Sequence, residues 1–368
     1  MADITSDFPS GGGGGGSGGD MASVEDVPLL VRVLAGNPVT GAAILTCLHT
    51  VDASRLRRLH AAVAGAVARV PWADMDRIVA DVVRWRAAFP AAVGVRLSHE
   101  PAGGHMVPET RDLADLWDVS CKRPPPRLKP SALAALAGVT RLELFRCIFV
   151  TDELLLRLPA SLRILNVCEC KNLTDRASFT HLTALTTLYC RETSVGGRGV
   201  RLPASLQVLH IDVLRARSSL AGLTRLRELY VSCSLDNAAL ASLPPSLQEL
   251  GAAFSPALDS GASFAHLTAL HTLNVSRTGI DDASLASMPP SLVNLWVERC
   301  CRLSPTATLP PLPLLRRLDI SHTGVGDALV ASLPAGLTWL RAIECYSVAG
   351  ATFDHVPALQ TLWRFRDR

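Results

Sequence analysis

The sequence predicts an α/β fold: a solenoid of short repeats with a parallel β-sheet on its concave face, preceded by a small α-helical domain. Two similar phrases alternate along the C-terminal part of the chain, typified by HLTALTTL at 181–188 and LPPSLQEL at 243–250. The last leucine of each phrase, here called the column leucine, recurs eleven times at steps of 20 to 23 residues. Repetition at this period is typical of solenoids. The column leucines are Leu142, Leu165, Leu188, Leu209, Leu229, Leu250, Leu273, Leu295, Leu318, Leu340 and Leu362.

The residues around each column leucine predict one short strand per repeat. Leucine, or Val139 in the first repeat, stands three positions before it, and a small or apolar residue stands two positions after it except at Arg364. Alternation of period two directs the apolar residues to one face of a strand, and stacked repeats pair such strands in parallel. The pattern L-x-x-L-x-L-x-x-(N/C/T) resembles the leucine-rich repeat. The resemblance implies a leucine-rich-repeat solenoid of about eleven repeats over residues 131–368.

Two further positions in the repeat carry predictions. A small polar residue or a cysteine usually stands five positions after the column leucine, where the resemblance implies a ladder of side chains bonded to turn backbone. On the convex side, Asp236 and Asp281 precede short helical phrases and are predicted N-caps, and a Pro-Pro pair ends each phrase. The ladder residues are Cys147, Cys170, Thr193, Ser234, Ser255, Thr278, Cys300, Thr323 and Cys345.

The N-terminal third of the chain differs in composition and lacks the repeat pattern. Residues 1–24 include a run of six glycines and are expected to be a disordered tail. Residues 25–90 are predicted to form a helical domain with Asp52 and Asp74 at caps, and residues 91–130 a transitional capping segment. In that segment Val93, Val95 and Leu97 alternate like a strand, and Leu116 and Val119 belong to a half-formed repeat phrase. The predicted helices are 27–34, 41–50, 53–69 and 73–89.

The helical region also resembles an F-box. The phrase ILTCLHTVDASRLRRLHAAVAGAV at 44–67 is similar to the middle of that motif, although Asn37-Pro38 replaces its opening Leu-Pro and Ala53 replaces a leucine. The resemblance implies docking to the Skp-type adaptor of a cullin-RING ubiquitin ligase. The alternative is a plain helical cap, which solenoids need at their open ends. The predicted adaptor-binding residues are Ile44, Leu45, Leu48, Leu56, Leu59 and Val63.

Composition argues against several classes of function. The formal net charge is only +3 over 368 residues, and no basic stripe with stacking aromatics indicates nucleic-acid binding. No apolar run is long enough to predict a membrane span, and no secretory signal is recognised. Ten cysteines without paired C-x-x-C motifs favour structural thiols and an intracellular, cytoplasmic or nuclear location.

No motif predicts catalysis, a cofactor or a metal, so we expect a protein that is not an enzyme. The phrase LPxxLxxL also resembles bacterial ubiquitin ligases of the LPX kind. Those ligases carry a separate catalytic domain after the repeats. The present chain ends within a few residues of the last predicted strand, so we do not expect ligase activity.

The positions on either side of each column leucine should point out of the concave sheet. They hold five of the nine tryptophans and tyrosines of the chain, and exposed aromatic residues with arginine are typical of binding hot spots. We therefore expect a protein target there. The main hypothesis is a substrate receptor of a cullin-RING ligase, and the alternative is a leucine-rich-repeat scaffold without a ubiquitin role. The predicted concave-face residues are Tyr189, His210, Tyr230, Trp296, Trp339, Arg341 and Trp363.

Overall fold

The computed structural model describes the solenoid with few gaps and the N-terminal region in parts. The described residues are 33–34, 43–45, 48, 50–58, 61–72, 79, 82–97, 130–196, 201–214, 220, 222–348, 350 and 352–363. The predicted glycine-rich tail lies outside them, as do Leu59, Asp74, Leu116, Val119 and most of the predicted helix 27–34.

The described residues form a single sheet of twelve strands and eight helices. The strands are β1 (Gly94–Arg96), β2 (Arg141–Glu143), β3 (Ile164–Asn166), β4 (Thr187–Tyr189), β5 (Val208–Leu214), β6 (Glu228–Leu235), β7 (Glu249–Gly251), β8 (Thr272–Asn274), β9 (Asn294–Trp296), β10 (Arg317–Asp319), β11 (Trp339–Arg341) and β12 (Thr361–Trp363). The helices are α1 (Thr50–Leu56), α2 (Ala61–Arg69), α3 (Val82–Ala88), α4 (Pro130–Ala135), α5 (Asp152–Leu155), α6 (Asn237–Ala241), α7 (Asp282–Ala286) and α8 (Asp327–Ala331).

The sheet has the simplest topology that a solenoid allows. Strand order follows chain order from β1 to β12, and every pairing is parallel. Column leucines face each other across neighbouring strands, as Leu273 faces Leu295 and Leu295 faces Leu318. The eleven predicted repeat strands are therefore confirmed. The alternation around Val95 gives a twelfth, β1, paired with β2.

The core lies directly behind this sheet. Ten of the column leucines and the residues three before them are at most 1% exposed, and the residues two after them are at most 6% exposed. Leu362 differs, with 41% of its surface exposed, because no described strand follows β12 to cover it. Phe179 and Phe264 are fully buried in the same core.

The predicted ladder is present along the turns that follow the strands. The Thr278 hydroxyl donates to the carbonyl of Val275 at 2.7 Å, and the Cys300 thiol donates to the same carbonyl at 3.2 Å. Cys170 likewise donates to the carbonyl of Leu144 at 3.0 Å. These ladder side chains thus satisfy backbone carbonyls inside buried turns.

The strands β5 and β6 are longer than predicted. They pair over six positions, with a register shift between Ile211 and Val213, whereas most neighbours pair over three. The steps on either side of Leu229 are among the shortest in the chain, at 20 and 21 residues. Leu214, fully buried, replaces the small polar ladder residue, so the chain continues as a strand where other repeats turn.

One repeat position adopts a left-handed backbone that the sequence pattern does not reveal. Four residues after most column leucines, a non-glycine residue has φ between 55° and 60°. The amides of six of them donate to a backbone carbonyl of the next repeat, as from Arg277 to the carbonyl of Glu298 at 2.7 Å. These inter-repeat bonds help to hold a conformation that L residues disfavour. The residues are Arg146, Glu169, Glu192, Phe254, Arg277, Arg299, His322 and Glu344.

The convex helices begin where predicted. The Asp236 carboxylate accepts from the amide of Ala239 at 2.7 Å, and the Asp281 carboxylate accepts from the amide of Ser284 at 3.0 Å. Each helix ends within a few residues of its Pro-Pro pair, since proline lacks the amide that would continue it.

The N-terminal helices differ from prediction. The helix expected over 53–69 is two helices, α1 and α2, separated by a turn at Arg57 and Arg58. Asp52 lies inside the first turn of α1 rather than at its N-cap. A carboxylate in the first turn interacts favourably with the positive end of the helix dipole. Of the helix expected over 73–89, the described helical part is α3 alone.

The helices are tied to each other and to the first repeat. The Trp72 indole donates to the carbonyl of Val67 at 2.9 Å, and its ring lies edge-on to Phe89 with centroids 6.1 Å apart. Arg86 donates to the carbonyl of Ala135, the last residue of α4, at 2.7 Å and to that of Ala92 at 2.8 Å. The guanidinium thereby links α3 to the N-terminal edge of the solenoid.

Candidate binding face

The residues beside the column leucines point away from the core. Most strands show a buried column leucine between two partly exposed neighbours. Of the seven residues that the sequence singled out, six are half-buried and Trp363 is 51% exposed. The structure therefore places all seven on the concave face, and their role in binding stays a prediction.

Three of them form a continuous aromatic row across strands β4 to β6. Tyr189, His210 and Tyr230 occupy facing positions of the three strands. The ring centroids of Tyr189 and His210 are 4.8 Å apart, and those of His210 and Tyr230 are 4.4 Å apart. Burial, and then the charge of Arg191, lowers the pKa of His210, so the imidazole is neutral near pH 7 and stacks as an aromatic ring.

The row ends at a hollow in the middle of the face. It has a volume of about 470 Å³, and it lies between Tyr230 on β6 and Trp296 on β9. Gly251 and Asn274 occupy the facing positions between these rings, so the floor is formed by a glycine and one short side chain. A Cβ atom at Gly251 would lie 2.6 Å from Cδ1 of Tyr230, so glycine is what lets the Tyr230 ring lean over the floor.

One of two adjacent carboxylates lines this hollow: Glu249 is part of its wall, and Glu228 stands beside it on the neighbouring strand. Glu228 and Glu249 face each other on β6 and β7, and the Tyr230 hydroxyl donates to Glu249 at 2.8 Å. Burial, and then the neighbouring Glu249 carboxylate, raises the pKa of Glu228. Burial and the bond to Glu249 raise the pKa of Tyr230 to about 12. The hollow thus has an electronegative side, which sequence reasoning did not single out.

Four of the predicted concave-face residues, Trp296, Trp339, Arg341 and Trp363, lie on the C-terminal strands β9, β11 and β12. Trp339 and Arg341 flank the same column leucine and face outward, as expected. However, Arg341 is paired with the buried Asp319 carboxylate at 3.2 Å, which offsets its charge. Trp296 lines the central hollow with Tyr230, because Gly251 and Asn274 leave space between them. Trp363 remains exposed at the end of the sheet.

Most predicted adaptor-binding residues lie inside the helical region. Leu45 and Val63 are at most 1% exposed, in a cluster that also contains Trp72. Leu48 and Leu56 pack partly buried against this cluster. Ile44, which is 39% exposed, is accessible. Leu59 lies outside the described residues.

Two residues near the hollow were missed by sequence reasoning. Phe254 is 56% exposed at the rim, and the Arg277 guanidinium lies 4.8 Å from its ring centroid. Both occupy the left-handed position of their repeats. No periodic signal marks this position, because its residue type varies from repeat to repeat.

The described residues contain no group of three or more histidine, cysteine, aspartate or glutamate side chains placed to hold a metal ion. Among the same residues, no helix has the length and apolar character needed to cross a membrane. The seven cysteines whose side chains the structure describes are free thiols, and burial raises the pKa of five of them, for Cys170 to about 12.

Comparison with known proteins identifies the fold. No family model matches the chain, and no curated protein does. The solved structure of an internalin, InlF from Listeria monocytogenes, is similar with a TM-score of 0.50 and 12% identity over 94% of this chain and 100% of that one. At this identity the likeness shows a shared leucine-rich-repeat fold.

Two further solved structures overlap with a smaller part of this chain. The functional domain of InlJ from Listeria monocytogenes matches with a TM-score of 0.39 and 13% identity over 64% of this chain, and this chain spans 60% of its length. The leucine-rich effector protein YopM from Yersinia pestis matches with a TM-score of 0.38 and 20% identity, over 62% of this chain and 64% of that one.

Proposed function

We propose that this protein is a binding scaffold that holds a protein partner on the concave face of its sheet. The observation that carries the proposal is the aromatic row of Tyr189, His210 and Tyr230, which leads into the hollow bounded by Trp296. Large, partly exposed aromatic side chains on rigid strands lose little conformational entropy when a partner covers them. The face therefore has the composition of an interface core.

The shape of the sheet supports the same proposal. Its outward side chains stand on short strands that are fixed by buried leucines behind them, so the face is preorganised. With strands about 4.8 Å apart, the distance from β4 to β12 is about 38 Å, which is enough for an extended protein segment. We propose that the protein acts by binding and that it carries no catalytic step of its own.

The experiment compares three forms of the tagged protein in crosslinking capture from its source cells. These are the wild type, a concave Tyr230→Ala/Trp296→Ala double variant, and a Leu156→Ala control on an exposed leucine elsewhere. A partner should be recovered with the wild type and the control and lost with the double variant. Recombinant partner should then show the same order in titration, and equal binding by all three forms would refute the proposal.

The narrower role of substrate receptor would need an adaptor-binding surface in the N-terminal helices. The sequence resemblance at 44–67 supports this role. Against it, Leu45 and Val63 are buried in the packing between the helices. We therefore favour the scaffold role, with the helices acting as a cap that covers the first repeat through Arg86 and β1. Titration of the full chain with a purified Skp-type adaptor decides between them, and saturable binding that Ile44→Asp abolishes would restore the receptor role.

A further inference from the structure

The central hollow has charge on one side and aromatic walls around it. Glu228 and Glu249 occupy facing positions of adjacent strands, about 4.8 Å apart at the backbone. Like charges placed directly opposite on a sheet repel, and this arrangement costs stability unless a cation offsets it. Both residues are half-buried, so solvent screens the repulsion incompletely.

No described residue supplies that cation. Neither carboxylate takes part in an ion pair with any part of the chain that the structure describes, and the hydrogen bond to Glu249 comes from the neutral Tyr230 hydroxyl. The other charged residue that lines the hollow is Arg191, which follows β4 and lies 3.8 Å from Asp212. It is three strands away from Glu249, about 14 Å across the sheet, and toward the opposite ends of the strands.

We infer that the hollow is the subsite for a cationic side chain, preferably arginine, on an extended segment of the protein partner. This inference rests on the proposed function and names the chemistry of the ligand. The cation lies at Glu228 and Glu249, where it relieves their repulsion. Its aliphatic stem lies over Gly251, between the rings of Tyr230 and Trp296.

Arginine fits this arrangement better than lysine. A planar guanidinium presents a fork of N–H donors that bonds two adjacent carboxylates at once, and it stacks on aromatic rings. The lysine ammonium is a compact, strongly hydrated charge and gains less from either feature. The floor has room for the stem because Gly251 carries no side chain and because a cavity of about 470 Å³ is open above it.

The test uses a small probe whose charge is changed without changing its shape. The peptide acetyl-Gly-Gly-Arg-Gly-Gly-amide is titrated into the full chain, and the indole N–H signal of Trp296, assigned with Trp296→Phe, is followed by NMR. Parallel titrations use peptides with lysine, with glutamate, and with citrulline, which is the neutral isostere of arginine. The arginine peptide should shift the signal saturably, and the citrulline peptide should bind at least tenfold more weakly.

The matching protein variants separate the charge from the aromatic walls. Glu228→Gln/Glu249→Gln should weaken binding of the arginine peptide at least tenfold. Glu143→Gln, a carboxylate on the same face but paired with Arg141 and Arg96, should leave it unchanged. Circular dichroism confirms that each variant is folded. If the lysine peptide binds as tightly as the arginine peptide, the hollow is still a cation subsite but has no preference for arginine.

The outcomes also separate this inference from the scaffold proposal. Equal binding of citrulline, tighter binding of the glutamate peptide, or no shift with arginine at millimolar concentration would overturn the cation subsite. If the cation subsite is overturned in this way but the Tyr230→Ala/Trp296→Ala variant still loses its protein partner in capture, the scaffold proposal stands. If capture shows no dependence on Tyr230 and Trp296, the scaffold proposal falls, and the inference that rests on it falls as well.

Discussion

Two adjacent residues of β9 provide a sharp test of which side of the sheet faces the core. Leu295 is fully buried between Leu273 and Leu318, whereas Trp296 points out of the concave face. Leu295→Ala removes three buried carbons and leaves a cavity that neighbouring repeats fill only partly. Such truncations cost about 2 to 5 kcal/mol. Trp296→Ala removes a larger side chain but opens no internal cavity.

The expected difference is large enough to measure by thermal and urea unfolding. For a domain of this size, about 1 kcal/mol shifts the melting temperature by about 2 to 4 °C, so Leu295→Ala should lower it by about 4 to 20 °C. Trp296→Ala should lower the melting temperature by a few degrees at most, because truncating a partly exposed side chain costs about 1 kcal/mol of stability. Leu362→Ala, at the partly exposed last column leucine, is the matched control and should cost less than Leu295→Ala.

One result would refute this reasoning. If Trp296→Ala unfolds the protein as readily as Leu295→Ala, the tryptophan belongs to the core, and the assignment of outward positions is wrong by one residue. The proposed binding face would then lose its basis in every repeat, because all repeats share the same register.

The remaining predictions concern the hollow and one helix cap. Gly251→Ala should displace the Tyr230 ring, since the added Cβ would lie 2.6 Å from Cδ1, and the near-ultraviolet circular dichroism should change while the melting temperature changes little. Tyr230 should ionise at about pH 12 in a spectrophotometric titration compared with Tyr230→Phe. Because its folded pKa lies above the unfolded value, its contribution to stability is complete below about pH 10 and declines as pH rises toward 12. Asp281→Ala should cost about 1 kcal/mol in urea unfolding, since the amide of Ser284 loses its acceptor, and an unchanged midpoint would contradict the cap.

The repeat could be predicted in detail because each position is specified many times. The column leucine fixes one inward residue per strand, and period two then fixes the outward neighbours such as Tyr230 and Trp296. The caps at Asp236 and Asp281 could also be predicted, because capping is a local interaction between a side chain and the next turn.

Features that depend on contacts between repeats could not be predicted in this way. The extension of β5 and β6 depends on a shortened repeat and on Leu214 replacing a polar ladder residue. The hollow exists because Gly251 and Asn274 happen to face each other between two rings, which is a relation across strands. The segment 53–69 is divided into two helices by a turn at Arg57 and Arg58, and the helical periodicity of the segment conceals this turn.

The strictly sequential order of the sheet has a mechanical consequence. When the two ends of the solenoid are pulled apart, the load acts across the short strands, and each repeat shares hydrogen bonds only with the repeats beside it. Repeats should therefore detach one at a time, and a repeat of 20 to 23 residues releases about 70 to 80 Å of extended chain. The long β5–β6 ladder, paired over six positions, interrupts this series. The molecule should therefore extend under force as two springs joined by a stiffer link, and that link adjoins the hollow.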